Sequence, residues 1–242
     1  MPRGGSRDAV AFRKEPRQRV IEVRAPGFGD LLRTLFRVLT FRATGDEIGA
    51  FGWRHFALGM ICALLAGVGR HWDEPDAPQA VRWGLASAAY VLVFATAMWP
   101  FIALLGPDRW EWSKFATFVA FTSPLAWIYA IPVEWWLPQE QAAYVNYGFL
   151  ALVAIWRVLL LTVYVPRYSG LDRWASFIGW STPLVVALAV LGGSGVIEAV
   201  VNFMAGARNE PPDLAAVKAI GVFAFFYSPL ALFLYLYQWW RR

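Results

Sequence analysis

The sequence predicts an all-α fold, a polytopic transmembrane helical bundle of about six spans with proline-kinked helices and an N-terminal interfacial amphipathic helix. Of its 242 residues, 58% are hydrophobic and only 16% are charged, whereas soluble domains carry about 25% charged residues. Long apolar runs recur along the chain, as expected of membrane-spanning helices. The 14 Trp residues are typical of side chains that anchor such helices at the headgroup level.

Changes in composition divide the chain into three parts. Residues 1–26 are polar, rich in Arg and interrupted by proline, so we expect a disordered basic cytoplasmic tail. Residues 27–50 are expected to hold the interfacial amphipathic helix, and residues 51–242 the six-span bundle. The tail has no apolar core of signal-peptide length, and we expect no cleavage.

The interfacial helix is predicted over residues 27–42, with Asp30 as a plausible N-cap. Its apolar side chains fall at helical spacing on one face: Leu32, Leu35, Phe36 and Leu39. Arg33 and Arg37 lie elsewhere on the helix and are expected to bind lipid phosphates. The alternative is a helix packed on the cytoplasmic ends of the bundle.

The predicted spans cover residues 53–72, 83–105, 112–132, 147–165, 174–193 and 214–240. Eleven of the 22 Lys and Arg residues precede residue 55, which favours a cytoplasmic N-terminus. Charges in the later loops favour six spans with both termini cytoplasmic, in a bacterial inner membrane. The basic excess then points to anionic lipids at the cytoplasmic face, and we expect no nucleic acid partner.

The first span carries a stripe of small residues at four-residue spacing, Gly59, Ala63 and Gly67. Small side chains allow another helix to approach closely. We therefore expect another helix to pack on this stripe. That helix could belong to a membrane-protein partner or to a second copy in a homo-oligomer.

Three spans contain proline next to a hydroxyl residue, at Ser123 and Pro124, Thr182 and Pro183, and Ser228 and Pro229. Proline removes a helical hydrogen bond, and a neighbouring hydroxyl can satisfy the released carbonyl. We expect kinks at these sites, which could equally be ordinary packing features or parts of a hinge or vestibule.

Arg157 lies near the middle of the predicted fourth span and is the strongest single candidate for a functional residue, because it is a charge within an apolar helix. Asn146, Arg157 and Tyr164 fall on one helical line, so they could form a polar intramembrane stripe. A charge at this depth costs several kcal/mol and must find a partner or water. Arg157 is thus either a structural residue bonded to carbonyls near Pro124 or Pro183, or a functional one. Glu134 and Glu198 are its only plausible carboxylate partners.

The sequence contains no recognisable catalytic, cofactor-binding or metal-binding constellation. The two histidines, His55 and His71, lie at opposite ends of the first span, about 24 Å apart along a helix. No cluster has metal-ligand spacing, and there is no phosphate-binding loop. We therefore expect no cofactor, no metal and no enzymatic activity.

The third and fourth spans and the connection after them contain four short motifs: residues 113–115 (SKF), residues 121–125 (FTSPL), Trp156, and residues 168–171 (YSGL). In these motifs the chain resembles the Yip-domain family of small polytopic membrane proteins. The resemblance implies a helical bundle that acts as a membrane scaffold, trafficking or shaping factor without catalysis. The chain departs from the family in its six predicted spans, where the family has five, and Arg157 matches no family pattern.

The leading functional hypothesis is a non-enzymatic integral membrane protein, a scaffold or subunit that binds membrane-protein partners or lipid. The alternative is a channel, transporter or lipid-translocating protein that uses a polar path at Arg157. A membrane-active toxic or defence protein is a third class. An enzyme is the fourth, and would require a reactive Ser123 or Ser228.

Overall fold

A computed structural model describes residues 26–69, 79–195 and 215–241, and within these ranges all regular structure is helical. Residues 122–136 contain two short 3₁₀ helices, Ser123–Ala130 and Val133–Trp135. The α-helices are α1 Phe28–Leu39, α2 Gly45–Gly49, α3 Trp53–Gly69, α4 Gln79–Arg82, α5 Leu85–Ala103, α6 Trp112–Phe121, α7 Gln139–Ser169, α8 Arg173–Gly193 and α9 Ala215–Trp240.

Five helical stretches in the described ranges are long and apolar enough to cross a membrane. They are Leu85–Ala103, Trp112–Trp135, Glu140–Ser169, Arg173–Gly193 and Lys218–Trp240. The first predicted span corresponds to α3, which has 17 residues and is therefore about 26 Å long, slightly less than the typical ~30 Å hydrocarbon core.

The centre of the bundle is α6 together with the 3₁₀ segment that continues it. Seven consecutive residues of α6, from Phe115 to Phe121, are buried, and α3 and α5 both pack on this helix. Apolar residues on every side fit a helix surrounded by protein. The stretch thus forms the core against which the other helices are positioned.

The α-helical geometry of the third predicted span ends before its proline. Pro124 has no N–H to donate to the carbonyl four residues earlier, and the chain continues from Ser123 as a 3₁₀ helix. Pro183 and Pro229, by contrast, lie inside α8 and α9, which continue through them. The three similar motifs therefore adopt two different local structures, a change to 3₁₀ geometry at Pro124 and a continuous α-helix at Pro183 and Pro229.

The pair formed by α8 and α9 completes the bundle, and these two helices pack mainly on each other. At their closest approach, a Cβ on Gly192 would lie 2.9 Å from the Cα of Gly221. Glycine at both positions permits backbone contact. The opposite side of α9 is exposed and apolar, as at Phe223, Phe226 and Phe233.

Several chain connections meet at one end of the bundle, which we call the Arg109 end. The Asp108 amide there donates to the Ser169 carbonyl at 2.9 Å, joining the α5–α6 and α7–α8 connections. Asp172 caps α8 by accepting from the Ala175 amide at 2.9 Å. The loop before α2 is fixed by a capping box of Thr44 and Glu47.

The N-terminal helix differs in detail from the sequence prediction. Its N-cap is Gly27, and Asp30 stands three residues later, where its carboxylate accepts from the Gly27 amide at 3.1 Å. The prediction of Asp30 as N-cap is therefore wrong, because helical geometry begins at Phe28. Its buried side chains are Leu31, Leu35 and Val38.

Some predictions lie wholly or partly outside the described residues: the disordered tail (except for Pro26), Glu198 as a partner of Arg157, and the ends of the first and sixth spans at residues 70–72 and 214. The fourth span, predicted over residues 147–165, lies within the longer α7 of 31 residues. Gly170, with φ of 75°, ends this helix in the left-handed conformation that glycine adopts easily.

Candidate functional site

The three polar residues predicted to form a stripe are all on α7, but they lie in three different environments. Asn146 is buried, and its side-chain amide donates to Glu134 Oε1 at 2.7 Å. This bond ties α7 to the second 3₁₀ helix, Val133–Trp135. Glu134, one of the two carboxylates considered for Arg157, therefore interacts with Asn146.

Tyr164 holds the N-terminal segment against α7. Its side chain is buried, and its hydroxyl lies 3.0 Å from the Val38 carbonyl and 3.2 Å from the Arg37 carbonyl. The same hydroxyl oxygen accepts from the Ala43 amide at 3.3 Å. These bonds attach the backbone where α1 ends to α7, which gives Tyr164 a structural role.

Two more α7 side chains reinforce this attachment, and sequence reasoning missed both. The Trp156 indole N–H donates to the Leu39 carbonyl at 3.1 Å. Arg167 donates to the carbonyls of Phe41 and Ala43, at 3.0 and 3.1 Å. Phe41 has a φ of 62°, which is unfavourable for a bulky residue, so these bonds hold a turn that the chain would not adopt unaided.

Arg157 faces a cavity of about 190 Å³ between the helices. Its guanidinium carbon lies 5.4 Å from the centre of the Tyr90 ring, in a cation–π contact. The Arg157 Nε is buried without a hydrogen-bond acceptor, and its side chain makes no hydrogen bond or ion pair with any residue that the structure describes. The cavity wall thus carries a guanidinium that donates no hydrogen bond to any described residue.

The remaining cavity wall is predominantly apolar and comes from α5, α6, the first 3₁₀ helix, α7 and α8. Thr122 lies at its back, where its hydroxyl donates to the Val119 carbonyl at 2.7 Å. The lining residues are Tyr90, Phe94, Phe118, Val119, Thr122, Tyr129, Leu150, Val153, Ala154, Arg157, Val158, Leu161 and Leu184. An apolar pocket with one well-placed polar group is the usual form of a small-molecule site.

The cavity lies well inside the bundle along the helix axes. Arg157 precedes the end of α7 at Ser169 by twelve residues, about 18 Å of helical rise. Leu184 follows the start of α8 at Arg173 by eleven residues, about 16 Å. Both distances start from the Arg109 end, so the cavity lies near the middle of these helices.

The predicted headgroup ligands of α1 differ in their availability. Arg33 is exposed, whereas Arg37 donates to Glu47 Oε2 at 3.2 Å and to the Arg42 carbonyl at 3.0 Å. The exposed apolar residues of the helix form a row at four-residue spacing: Phe28, Leu32 and Phe36. The helix therefore packs on the bundle through one row and leaves a second apolar row uncovered, beside Arg33.

The small-residue stripe of α3 is used for packing within the chain. A Cβ on Gly59 would lie 2.6 Å from the Ala120 Cβ of α6, and one on Gly67 would lie 2.4 Å from the Gly84 Cα before α5. Ala63 is buried between them. These contacts explain the spacing of the stripe without a second protein.

The hydroxyl residues at the proline sites lie in three different environments. The Ser228 hydroxyl donates at 3.0 Å to the Phe225 carbonyl, which is the carbonyl that Pro229 leaves without its helical donor. Thr182 donates instead to the Ala231 carbonyl of α9, at 3.4 Å. Ser123 is buried at the start of the first 3₁₀ helix.

A second, more polar cavity of about 410 Å³ lies at the Arg109 end. Asp46 accepts from Arg109 there at 2.8 Å, and this hydrogen bond raises the pKa of the exposed guanidinium. Asp108 and Glu111 also line the cavity. In the described part of the chain, no group of three or more His, Cys, Asp or Glu residues could hold a metal ion.

No protein-family model, no curated protein and no solved structure matches this chain. The resemblance to the Yip-domain family therefore stays a prediction. The length and composition of the apolar helices are compatible with an integral membrane protein.

Proposed function

We propose that this chain is an integral membrane protein that binds an anionic lipid within its helical bundle, with Arg157 as the group that recognises the anion. The observation that carries the proposal is the buried, unpaired Nε of Arg157 at the wall of an apolar cavity. Placing an arginine at this depth in a membrane costs free energy unless an anion, a carbonyl group or water interacts with its charge. A bound anion would supply charge-assisted hydrogen bonds.

The surroundings of Arg157 favour this role over that of a structural residue. A structural arginine would donate to carbonyls released near Pro124 or Pro183, yet Arg157 has no hydrogen bond to any described residue. Its contact with the Tyr90 ring holds the guanidinium beside the cavity without using its donors. The donors stay available to a ligand.

The same surroundings argue against a continuous polar path along α7. Asn146 bonds to Glu134, and Tyr164 bonds to the N-terminal segment. The cavity itself is lined mostly by apolar residues. An ion or water path would need more polar lining than this, so lipid binding is the better proposal than a channel.

A scaffold role remains the second candidate, and the exposed face of α9 is the feature that favours it. This face presents large apolar side chains such as Phe223, Phe226 and Phe233, which suit either lipid or another helix. The α3 stripe does not support a scaffold, because it packs inside the chain. Non-enzymatic action and membership of a Yip-like group are parts of this second proposal.

The proposed topology has six spans, with α3 as the first and both termini in the cytoplasm of a bacterial cell. Arg54 and Trp53 at the start of α3 are in cation–π contact and would anchor this short helix at the interface. Arg33 would contact anionic headgroups at that surface.

The experiment that tests lipid binding is native mass spectrometry of the full chain purified in mild detergent. Wild-type protein should retain a stoichiometric anionic lipid, and Arg157→Gln should lose it. Arg173→Gln, at an exposed arginine that begins α8, is the matched control and should retain the lipid. Equal retention by the two variants would refute the proposal, and a stoichiometric protein partner would favour the scaffold.

A further inference from the structure

We infer that the ligand of the Arg157 cavity is a single-chain amphiphile with a carboxylate head, and that it enters sideways from the bilayer between α5 and α7. This inference rests on the proposed function and specifies its ligand class and route.

The charge inside the cavity limits the charge of the ligand. Arg157 is the only charged side chain among the cavity-lining residues. A single negative charge would be matched by this guanidinium, whereas a second charge would be buried without a counter-ion. The ligand head is therefore a monoanion rather than a phosphate monoester in its doubly charged form.

The size of the cavity distinguishes between monoanions. Its volume of about 190 Å³ is not much larger than the ~150 Å³ cavity that accommodates one benzene molecule. A carboxylate and the first few carbons of a chain fit such a space. A phosphodiester carries bulky groups on both sides of its phosphorus and does not. The planar guanidinium can pair with two oxygens of a carboxylate or of a phosphate, so it is the volume of the cavity that favours the carboxylate.

The exposure of the lining residues indicates where the cavity opens. Phe118, Val119, Val153 and Leu161 at the back are buried. Tyr90 on α5 and Val158 on α7 are 43% and 38% exposed, and Ala154 of α7 is exposed as well. The opening therefore lies between these two helices.

The level of the opening along the helices determines what it faces. It lies at the level of Arg157, near the middle of α7, where a spanning helix is surrounded by lipid chains. A ligand that arrives here comes from the bilayer, and its chain can extend outward between α5 and α7 into the lipid.

The ligand class is tested with delipidated, detergent-solubilised full-length protein and palmitate, hexadecanol and dipalmitoyl phosphatidylglycerol as probes. Native mass spectrometry and the thermal unfolding midpoint report binding. We expect one palmitate to bind and to raise the midpoint, and hexadecanol to do neither. Arg157→Gln should weaken palmitate binding by about tenfold or more, and Arg173→Gln should not change it.

The route is tested by filling the opening while Arg157 is kept. Ala154→Trp places a large ring at the mouth and should abolish palmitate binding. Ala151→Trp adds the same ring at an exposed position of α7 that does not line the cavity, and should bind palmitate normally. Equal binding by the two variants would overturn the lateral route.

The remaining outcomes separate this inference from the proposed function. If phosphatidylglycerol binds through Arg157 and palmitate does not, the carboxylate inference is wrong and the proposed function stands. If hexadecanol binds as tightly as palmitate, the anion plays no part and both are wrong. Both are also wrong if neither anion binds in a manner that depends on Arg157.

Discussion

Tyr164 and Arg157 lie seven residues apart on the same helix, but within the described residues only the Tyr164 side chain makes hydrogen bonds. The Tyr164 hydroxyl meets two carbonyls and an amide of the N-terminal segment. The Arg157 side chain meets an aromatic ring and a cavity. Substitution of the two residues should therefore have opposite consequences for stability and binding.

Tyr164→Phe is expected to lower the free energy of unfolding by about 0.5–1.5 kcal/mol, because it removes the buried hydrogen bonds that the hydroxyl makes with the Val38 carbonyl and the Ala43 amide. Unfolding of the purified protein by SDS titration, followed by Trp fluorescence, measures this change. Tyr144→Phe, at a 53% exposed tyrosine of the same helix, is the control. An unchanged midpoint for Tyr164→Phe would contradict the structural role.

Arg157→Gln is expected to leave the free energy of unfolding of the lipid-free protein within about 1 kcal/mol of wild type, or to raise it. The substitution removes a cation–π contact worth about 0.5–2 kcal/mol and also removes a buried charge without a counter-ion. The same SDS titration tests this expectation. A loss of about 3 kcal/mol or more would indicate that Arg157 holds the fold together.

For single residues, the sequence predicted Arg157 as a candidate functional residue, but it did not predict which side chains contact the candidate residues. Arg157 could be identified because an isolated charge in an apolar helix is conspicuous. Its neighbours Tyr90 and Phe94 could not, since aromatic residues in a span are ordinary and their position depends on packing between helices. The bond between Asn146 and Glu134 likewise depends on the path of the 3₁₀ segment.

At the scale of helices, close backbone packing decides which elements share the core. The α3 helix approaches α6 at Gly59, where an added Cβ would lie 2.6 Å from the Ala120 Cβ and 3.0 Å from the Ala120 carbonyl carbon. Real side-chain atoms do not pack this closely, so α3 must shift when this glycine is replaced.

Gly59→Ala is expected to destabilise the bundle by about 1–3 kcal/mol, the usual cost of overpacking. Gly148→Ala is the matched control, because nothing lies within 4 Å of its added Cβ. That variant should be neutral or stabilising, by up to about 1 kcal/mol, since alanine favours the helix. Equal effects at both positions, in SDS unfolding, would be incompatible with close packing of α3 on α6.

The exposed apolar row of α1 is expected to face lipid while Arg33 faces the aqueous boundary. The only cysteine, Cys62, is buried, which allows single labels to be introduced in liposomes. A nitroxide at Phe36→Cys should collide more with oxygen, and one at Arg33→Cys more with a water-soluble nickel complex. The reverse order, or equal accessibility, would contradict an interfacial position.

The sequence predicted this helix and an apolar face of Leu32, Leu35, Phe36 and Leu39, but it did not predict which row packs on the bundle. The apolar side of α1 is wide enough to contact both the bundle and the lipid. Periodicity alone does not show which residues contact which of the two. Leu31, Leu35 and Val38 are the residues that pack on the bundle, because Trp156 and Tyr164 fix the end of the helix against α7. Contacts of this kind, over a hundred residues apart, are not visible in a local pattern.

For the whole molecule, helical class and apolar spans followed directly from composition, because a lipid solvent requires satisfied backbone and apolar surfaces. The number of spans depends on α3, whose 17 residues are near the lower limit for crossing a bilayer. Snorkelling of Arg54 would allow it to span. The topology is therefore the global property that most needs measurement.

We expect both termini on the cytoplasmic side, as six spans require. Cysteines introduced at Ser6 and Arg242 should resist a membrane-impermeant maleimide in intact cells and react after lysis. A cysteine at Gln141, which is exposed near the start of α7, should react from outside. Labelling of only one terminus in intact cells would show an odd number of spans.

The central claim is that the Arg157 cavity holds an anion from the bilayer, and native mass spectrometry of wild type, Arg157→Gln and Arg173→Gln tests it most directly. The account predicts a stoichiometric anionic lipid on wild type and Arg173→Gln and its loss from Arg157→Gln. Equal lipid occupancy in all three proteins would contradict it.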